Sequence, residues 1–371
     1  MTAERPAHVS IVIPVYNGEQ FIADCIRSVQ AQTHPHWDLT IGNNRSTDRT
    51  VAIAEEFAAA DSRIRIVTYP EFVSVVDSHN NAFTLISDKA TYCMVLGADD
   101  LMFPRCLEEK VQIGEAYPTV GLIGSYVLEG DSVIIPTYKF PDNFIPGREV
   151  GRFRFLQNTS LFGGPSTSLI RASIVRRKRP FYNPVNYYGD LEAYLDLLQE
   201  YDFGFVHQVL TYTRKGTASR TTSYLGRVHA PAAMRMHEVT RFGAHYLSED
   251  ERVACLRKVT HAYYRFLGES VWELHAREFW DYHLKHVRKM GYPARYGLIG
   301  WYALLRVLDL VGNPLRTVSG AVRRVANTRA RKAIPLAESH GPTPTASSAS
   351  SPPTVASSGP QSSGPARTTA Q

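Results

Sequence analysis

Short apolar runs alternate with amphipathic segments through the first 130 residues of the chain. Runs at 8–13, 37–41, 64–67 and 92–96 each end in a turn. Between them, polar and apolar positions predict helices at about 19–31, 48–59 and 75–87. In the first of these, Phe21, Ile22, Cys25, Ile26 and Val29 recur at helical spacing. This alternation predicts an α/β fold with a doubly wound, mainly parallel sheet flanked by helices. Ligands of such sheets sit beyond the carboxyl ends of the strands, which directs attention to the residues after each run.

Past residue 101 the pattern loosens. It predicts a helix at about 105–116, a strand at 120–127, and loops through 131–152, where Pro and Gly are frequent. A helix at 191–201 and a strand at 203–209 follow. From about 227 to 290 the pattern is helical, with many aromatic, His and Arg residues. The expected organisation is a catalytic domain at 1–226, a helical region at 227–296, an apolar then basic segment at 297–333, and a tail at 334–371. From 339 on, Ser, Thr, Pro, Ala and Gly make up nearly all of that tail, so it cannot bury a core and is expected to be disordered.

Composition changes the picture in two places. With 44% hydrophobic and 20% charged residues in 371, the chain can build a core without disulfides or structural metal. Cys25, Cys93, Cys106 and Cys255 lie far apart with no CxxC pair, as expected of small apolar core residues in a reduced compartment. The first residues lack a signal-peptide pattern, and the expected location is cytoplasmic. The net charge of +6 is concentrated: 297–333 holds seven basic residues and one acid, Asp309. A near-neutral body argues against nucleic acid as the substrate.

Four places carry candidate chemistry. Pro14-Val15-Tyr16-Asn17 follows the first strand, Asn43-Asn44-Arg45-Ser46-Thr47-Asp48 the second, and Gly97-Ala98-Asp99-Asp100 the run at 92–96. Gly189-Asp190-Leu191-Glu192 opens a helix in the second half. Singly, each reads as a turn or a helix cap. Jointly, the first three lie where a doubly wound sheet holds its ligand, and they suit a nucleotide diphosphate sugar. Carboxylates are hard oxygen ligands for Mg²⁺ or Mn²⁺, which neutralise a departing diphosphate.

The stretches VSIVIPVYNGEQFIADCIRSVQAQT, NNRSTDRT and YCMVLGADD, in this order, resemble the family 2 inverting glycosyltransferases of the GT-A fold. The similarity runs from about residue 8 to 220 and is densest before Leu101. It implies a nucleotide-sugar half at about 1–101 and an acceptor half at about 102–226, with a C-terminal helical extension. It implies further that Pro14, Tyr16 and Asn17 line the base and ribose pocket. Asn43 stands where the family usually has an Asp that contacts the base, and Asp48 matches the Asp of its Ser-Thr-Asp element. Asp99 and Asp100 match a DxD-like pair, Asp99 toward the ribose and Asp100 the better metal ligand. Gly164 and Ser166 fall in a glycine-rich turn on the acceptor side. Asp190 matches the general base, with Glu192 as its rival. Gly97 replaces a common third Asp. Arg214 and Lys215 fall where many relatives carry Arg-x-His, and either is a candidate for holding the diphosphate.

Two other readings differ by visible features. A sugar nucleotidyltransferase calls for a GxGTR-like turn after strand one, where Pro14-Val15-Tyr16-Asn17-Gly18 stands instead. A non-catalytic scaffold that binds nucleotide sugar or glycan is compatible with Asn43. Further on, Leu298, Trp301, Leu304, Leu305, Leu308 and Val311 share one helical face. The segment is too short to cross a bilayer, which takes about 20 apolar residues. It suits either a membrane-surface helix followed by a tail for anionic lipid, or a helix packed on the body with solvated arginines. The first alternative fits a glycan or lipid-linked acceptor at the inner face of a membrane.

Overall fold

The structure, a computed structural model, describes residues 6–134, 142–158, 162–186, 188–214, 220–273, 275–289 and 291–312. Among these residues ten strands form one sheet: β1 (Val9–Val15), β2 (Trp37–Asn43), β3 (Ile64–Thr68), β4 (Tyr92–Val95), β5 (Leu101–Met102), β6 (Val120–Glu129), β7 (Ser132–Ile134), β8 (Phe144–Ile145), β9 (Leu169–Arg171) and β10 (Asp202–Thr213). The main order is β3-β2-β1-β4-β9-β6-β10-β5. Strands β3, β2, β1 and β4 are mutually parallel, as are β6 and β10. Strand β9 runs antiparallel to both β4 and β6 and joins the two parallel groups.

The helices are α1 (Ile22–Gln30), α2 (Thr50–Ala60), α3 (Val75–Thr84), α4 (Cys106–Ala116), α5 (Gly147–Gln157), α6 (Ala172–Arg177), α7 (Gly189–Leu197), α8 (Arg220–Arg227), α9 (Ala230–Tyr246), α10 (Glu249–Ser270), α11 (Arg277–Asp281), α12 (Val287–Lys289) and α13 (Tyr296–Gly312). The π-helical turn Tyr282–His286 joins α11 to α12.

Alternation along the strands divides the interior into two cores. Ile11 and Ile13 of β1 with Met94 of β4 face α1 and α4, meeting Ile22, Ile26, Leu107 and Val111. Their neighbours Val12, Cys93 and Val95 point the other way, into a core shared with α3, α5, α7, α9 and α10. A period of two in side-chain direction produces this partition. All four cysteines are free and buried.

The described residues as far as Val311 form one compact unit. Ser248 opens α10 with a capping box completed by Glu251, two reciprocal hydrogen bonds that satisfy helix-start N–H groups. A Cβ at Gly268 would lie 2.5 Å from Tyr302 Cβ and 2.8 Å from the Ala303 nitrogen, so glycine lets α10 and α13 touch.

The expected elements of the first 130 residues are present with shifts of a few residues at their ends. The loops expected at 131–152 need correction, because β7, β8 and the start of α5 lie there. The Pro and Gly residues of that stretch include Pro146 and Gly147, which begin α5: Pro146 is its N-cap residue, and the Gly147 N–H donates to Asp202 Oδ1 at 3.0 Å. Strand β9 was not expected. Three residues long, it gives too short a run for periodicity to register. Lys215, the 313–333 part of the basic segment and the 334–371 tail lie outside the described residues.

Candidate active site

Strands β1, β2, β3 and β4 end at the same edge of the sheet, where Val15 pairs with Asn43 and Asn43 with Thr68. Two loops leave this edge and are hydrogen-bonded together. The Asn17 N–H donates to Ser46 Oγ at 3.0 Å, and Asn17 Oδ1 accepts from the Thr47 N–H at 2.8 Å. The Gly18 N–H donates to Thr50 Oγ1 at 2.8 Å, and Asp48 Oδ2 accepts from the Glu19 N–H at 3.0 Å. Asn17 and Arg45 both take left-handed backbone at φ 52 and φ 64, which Asn tolerates better than most residues.

These bonds change what the polar side chains can do. Asn43 is buried; its Nδ2 donates to Thr68 Oγ1 at 3.1 Å, and its Oδ1 accepts from the Ser46 N–H at 2.9 Å. Asn43, the candidate for a base contact, thus also anchors the loop through both of its polar groups. Asp48 shares a carboxylate between the Glu19 N–H and Thr50, so its place is the junction of the two loops.

Tyr16 stands at the open end of β1 and meets Phe72 edge to face, with centroids 4.9 Å apart. Both rings are exposed, Tyr16 at 40% and Phe72 at 60%. Sequence reasoning overlooked Phe72, although it follows β3 at this same edge. Asn44 holds its loop: Asn44 Nδ2 donates to the Val73 carbonyl at 3.0 Å, and Asn44 Oδ1 accepts from the Val73 N–H at 2.9 Å.

The acidic turn after β4 is the densest part of the site. An ideal Cβ on Gly97 would lie 2.9 Å from Asp100 Oδ2 and 3.3 Å from Asp99 Oδ1, so the two carboxylates converge over the bare glycine. A side chain on Gly97 would enter the space between the two carboxylates. Ser166 Oγ donates to Asp100 Oδ2 at 2.5 Å and accepts from the Gly97 N–H at 2.9 Å. Ser166 sits in the 3₁₀ turn Pro165–Thr167, between Gly164 and β9. Buried Lys110 braces that turn, its Nζ donating to the Thr167 carbonyl at 2.7 Å.

Burial pushes the Asp100 carboxyl up to about 6. The charge of Asp99 adds to the rise, against hydrogen bonds from Ser166, Thr213 and the Arg214 backbone. A cation between the carboxylates would favour the ionised form. Among the described residues no group of three or more His, Cys, Asp or Glu side chains is placed to hold a metal. The cradle thus suits a hard ion that takes one or two carboxylates and completes its shell with phosphate oxygens and water, as Mg²⁺ does.

Arg214 reaches this turn from the end of β10. Its guanidinium lies 4.8 Å from the centroid of Phe21 and 3.5 Å from Asp24 Oδ2, and its Nε is buried with no hydrogen-bond partner among the described residues. Pro14 lies within β1 and stays part-buried.

Asp190 occupies the first turn of α7. Burial raises its carboxyl above the usual range, against the pull of the Leu191 N–H and its own N–H. Its charge acts on Tyr182, Tyr188 and Tyr194 around it. Among the described residues it makes no hydrogen bond or ion pair with the Asp99–Asp100 turn. Glu192 is only 4% exposed and accepts from Asn186 Nδ2 at 2.6 Å, Asn183 Nδ2 at 3.2 Å and His237 Nε2 at 3.2 Å. Arg241 Nε lies 3.2 Å from its other oxygen. Donors thus surround the carboxylate of Glu192, the rival candidate for the base, and tie α7 to α9. The spacing Asp190-Leu191-Glu192 carries no sign of that network, since His237 and Arg241 come from α9.

A family model described as glycosyl transferase family 2 matches residues 10–177. An uncharacterized glycosyltransferase of Haemophilus influenzae is 28% identical over 186 residues, covering 47% of this chain and 55% of that protein. TuaG of Bacillus subtilis, named for teichuronic acid biosynthesis, is 33% identical over 112 residues, 30% of this chain and 43% of its own length. The chain thus spans about half the length of these relatives. WfgD of Escherichia coli, named as a UDP-Glc:α-D-GlcNAc-diphosphoundecaprenol β-1,3-glucosyltransferase, is 24% identical over 192 residues, 52% of this chain and 70% of that protein. In three dimensions, S. aureus TarS 1–349 in complex with UDP-GlcNAc superposes with a TM-score of 0.58 at 14% identity, over 85% of this chain and 92% of that one. That is a likeness of fold.

The sheet and its flanking helices are those of the GT-A fold. Within that fold, residues 10–177 are similar to glycosyl transferase family 2.

Proposed function

We propose that the chain transfers a sugar, with inversion, from a nucleotide diphosphate sugar to an acceptor hydroxyl. The observation that carries this reading is the convergence of Asp99 and Asp100 over Gly97, at the strand edge where the sheet binds its ligand. Tyr16 and Phe72 offer flat surfaces to the base, and Arg214 brings a cation toward the diphosphate. Asp99 and Asp100 would hold Mg²⁺ or Mn²⁺, which supplies positive charge against the leaving group. Asp190 takes the acceptor proton as the acceptor oxygen attacks the anomeric carbon from the face opposite the diphosphate. The new C–O bond forms as the bond to the diphosphate oxygen breaks, and one displacement inverts the centre. A raised carboxyl pKa makes Asp190 the stronger base, and such catalysis supplies roughly 10²–10⁴-fold.

The acceptor in this reading is a bacterial cell-surface glycan or a lipid-linked intermediate, supported by the relative named for a diphosphoundecaprenol acceptor. The reaction then runs in the cytoplasm at the inner face of a membrane. Among the described residues no helix is long and apolar enough to cross one.

The test is a panel of nucleotide sugars read by thermal stabilisation with and without Mn²⁺, then donor hydrolysis by the stabilising compound. Asp100→Ala should abolish the Mn²⁺-dependent part. Asp190→Asn should keep donor binding and lose transfer by about 10²-fold or more. Parent-level transfer in both variants refutes the assignment; stabilisation without any turnover favours a binding scaffold.

A further inference from the structure

Helix α13 turns its apolar face outward. Ile299 and Ala303 are buried against the body, and the Trp272 Nε1–H donates to the Ala303 carbonyl at 3.0 Å. On the opposite side Trp301, Leu304, Leu305, Leu308 and Val311 are 55%, 50%, 38%, 56% and 75% exposed. At 100° per residue these five fall within an arc of about 120°. Asp309 lies at its border, 3.6 Å from Arg306. Surface helices of soluble domains present the reverse pattern. Val271 and Trp272, exposed at the end of α10, enlarge the apolar area.

Beside the root of α13 lies a cleft of about 750 Å³ between α9, α10 and the 291–295 turn. Arg257, His261 and Arg295 line it, with no acidic residue among the described ones, over a floor that includes Leu256, Tyr264 and Leu298. His261 is hydrogen-bonded to the Tyr302 hydroxyl, which ties the cleft wall to α13. Leu298 belongs to both the cleft and the helix. Cationic groups over an apolar floor, continuous with an uncharged apolar ridge, match an amphiphile with an anionic head. The sequence after Gly312 adds Arg316, Arg323, Arg324, Arg329, Arg331 and Lys332 before the next acid, Glu338.

We propose that this cleft binds the headgroup of an anionic phospholipid while the α13 ridge enters the acyl boundary of the same leaflet. The proposal rests on the membrane-surface part of the function above and is independent of the transfer chemistry. Interfacial helices combine buried apolar area with attraction to anionic lipid in this way. Each basic group near such a surface adds about 1 kcal/mol, or roughly fivefold in binding.

The experiment is co-sedimentation of the full chain, without donor, with vesicles of phosphatidylglycerol and phosphatidylcholine in equal parts or of phosphatidylcholine alone. The expected result is strong preference for the anionic vesicles. Replacing Leu304 and Leu308 together by Glu should weaken binding about tenfold or more. Replacing Arg257 and Arg295 together by Glu should remove the preference for anionic lipid. All four positions are exposed, and circular dichroism checks that the variants remain folded. Equal binding to both vesicle types, or binding unchanged in either double variant, overturns the proposal. So does failure to bind vesicles together with a dimer, seen by sedimentation velocity, that dissociates on the Leu304 and Leu308 replacements. Donor hydrolysis measured without vesicles reports on the transfer site alone, so the two readings fail separately.

Discussion

Ser166 Oγ donates to Asp100 Oδ2 at 2.5 Å across 66 positions of sequence. Through this bond the turn before β9 fixes the rotamer of a buried carboxylate at the end of β4, and the same oxygen holds the Gly97 N–H. Hydrogen bonds to charged groups contribute about 1.5–3 kcal/mol. Ser166→Ala should therefore weaken Mn²⁺-dependent donor stabilisation by roughly 10–100-fold, with the fold intact. Titration of Mn²⁺ against the thermal midpoint measures it, and a parent-like titration would remove Ser166 from the site.

Gly97→Ala tests the cradle itself. The added methyl would sit 2.9 Å from Asp100 Oδ2, closer than real Cβ contacts allow, so the carboxylates must separate. Mn²⁺-supported hydrolysis should fall by at least about tenfold while nucleotide binding without metal changes little. Isothermal titration with nucleotide, in the presence of chelator and then of Mn²⁺, separates the two effects.

Phe72→Ala should raise the donor KM by about tenfold and leave kcat within about twofold. Stacking on an aromatic contributes roughly 1–3 kcal/mol per base. Asn44→Ala, which frees the Val73 backbone, should reproduce part of the effect. A change confined to kcat would mean that the ring pair does not touch the base.

Glu192 predicts an acid limb of stability. Burial pushes its carboxyl up, but hydrogen bonds from His237, Asn186 and Asn183 and the charge of His237 outweigh that and hold it at about 2, below its ordinary 4.5. The unfolded chain thus takes up the proton first as pH falls. The contribution is complete above about 4.5 and is lost on the way down to about 2. Glu192→Gln should lower stability at neutral pH by about 2–3 kcal/mol and flatten the loss across that window. Urea unfolding at a series of pH values checks both.

The loops at the strand ends were largely legible before the structure. Period-two strands and period-3.6 helices place Tyr16, Asn17, Asp99 and Asp100 after apolar runs, and topology does the rest. What escaped depends on contacts between distant segments. The bonds of Asn43 depend on Thr68 and Ser46, and the bracing of the Gly97 N–H depends on Ser166. The engagement of Glu192 depends on His237, 45 positions away. Strand β9 was too short to carry a pattern, and β8 with α5 hid behind Pro and Gly residues that read as loop.

The antiparallel insertion of β9 between β4 and β6 has a consequence for synthesis of the protein. A ribosome makes the four parallel strands first, with both aspartates already in place along the chain. Yet the hydroxyl that steadies one of them arrives only with residue 166, just before the strand that welds the two parallel groups together. A nascent chain halted earlier would hold the acidic turn without its brace, and the cation loading proposed above should emerge late in translation, together with the closing of the sheet.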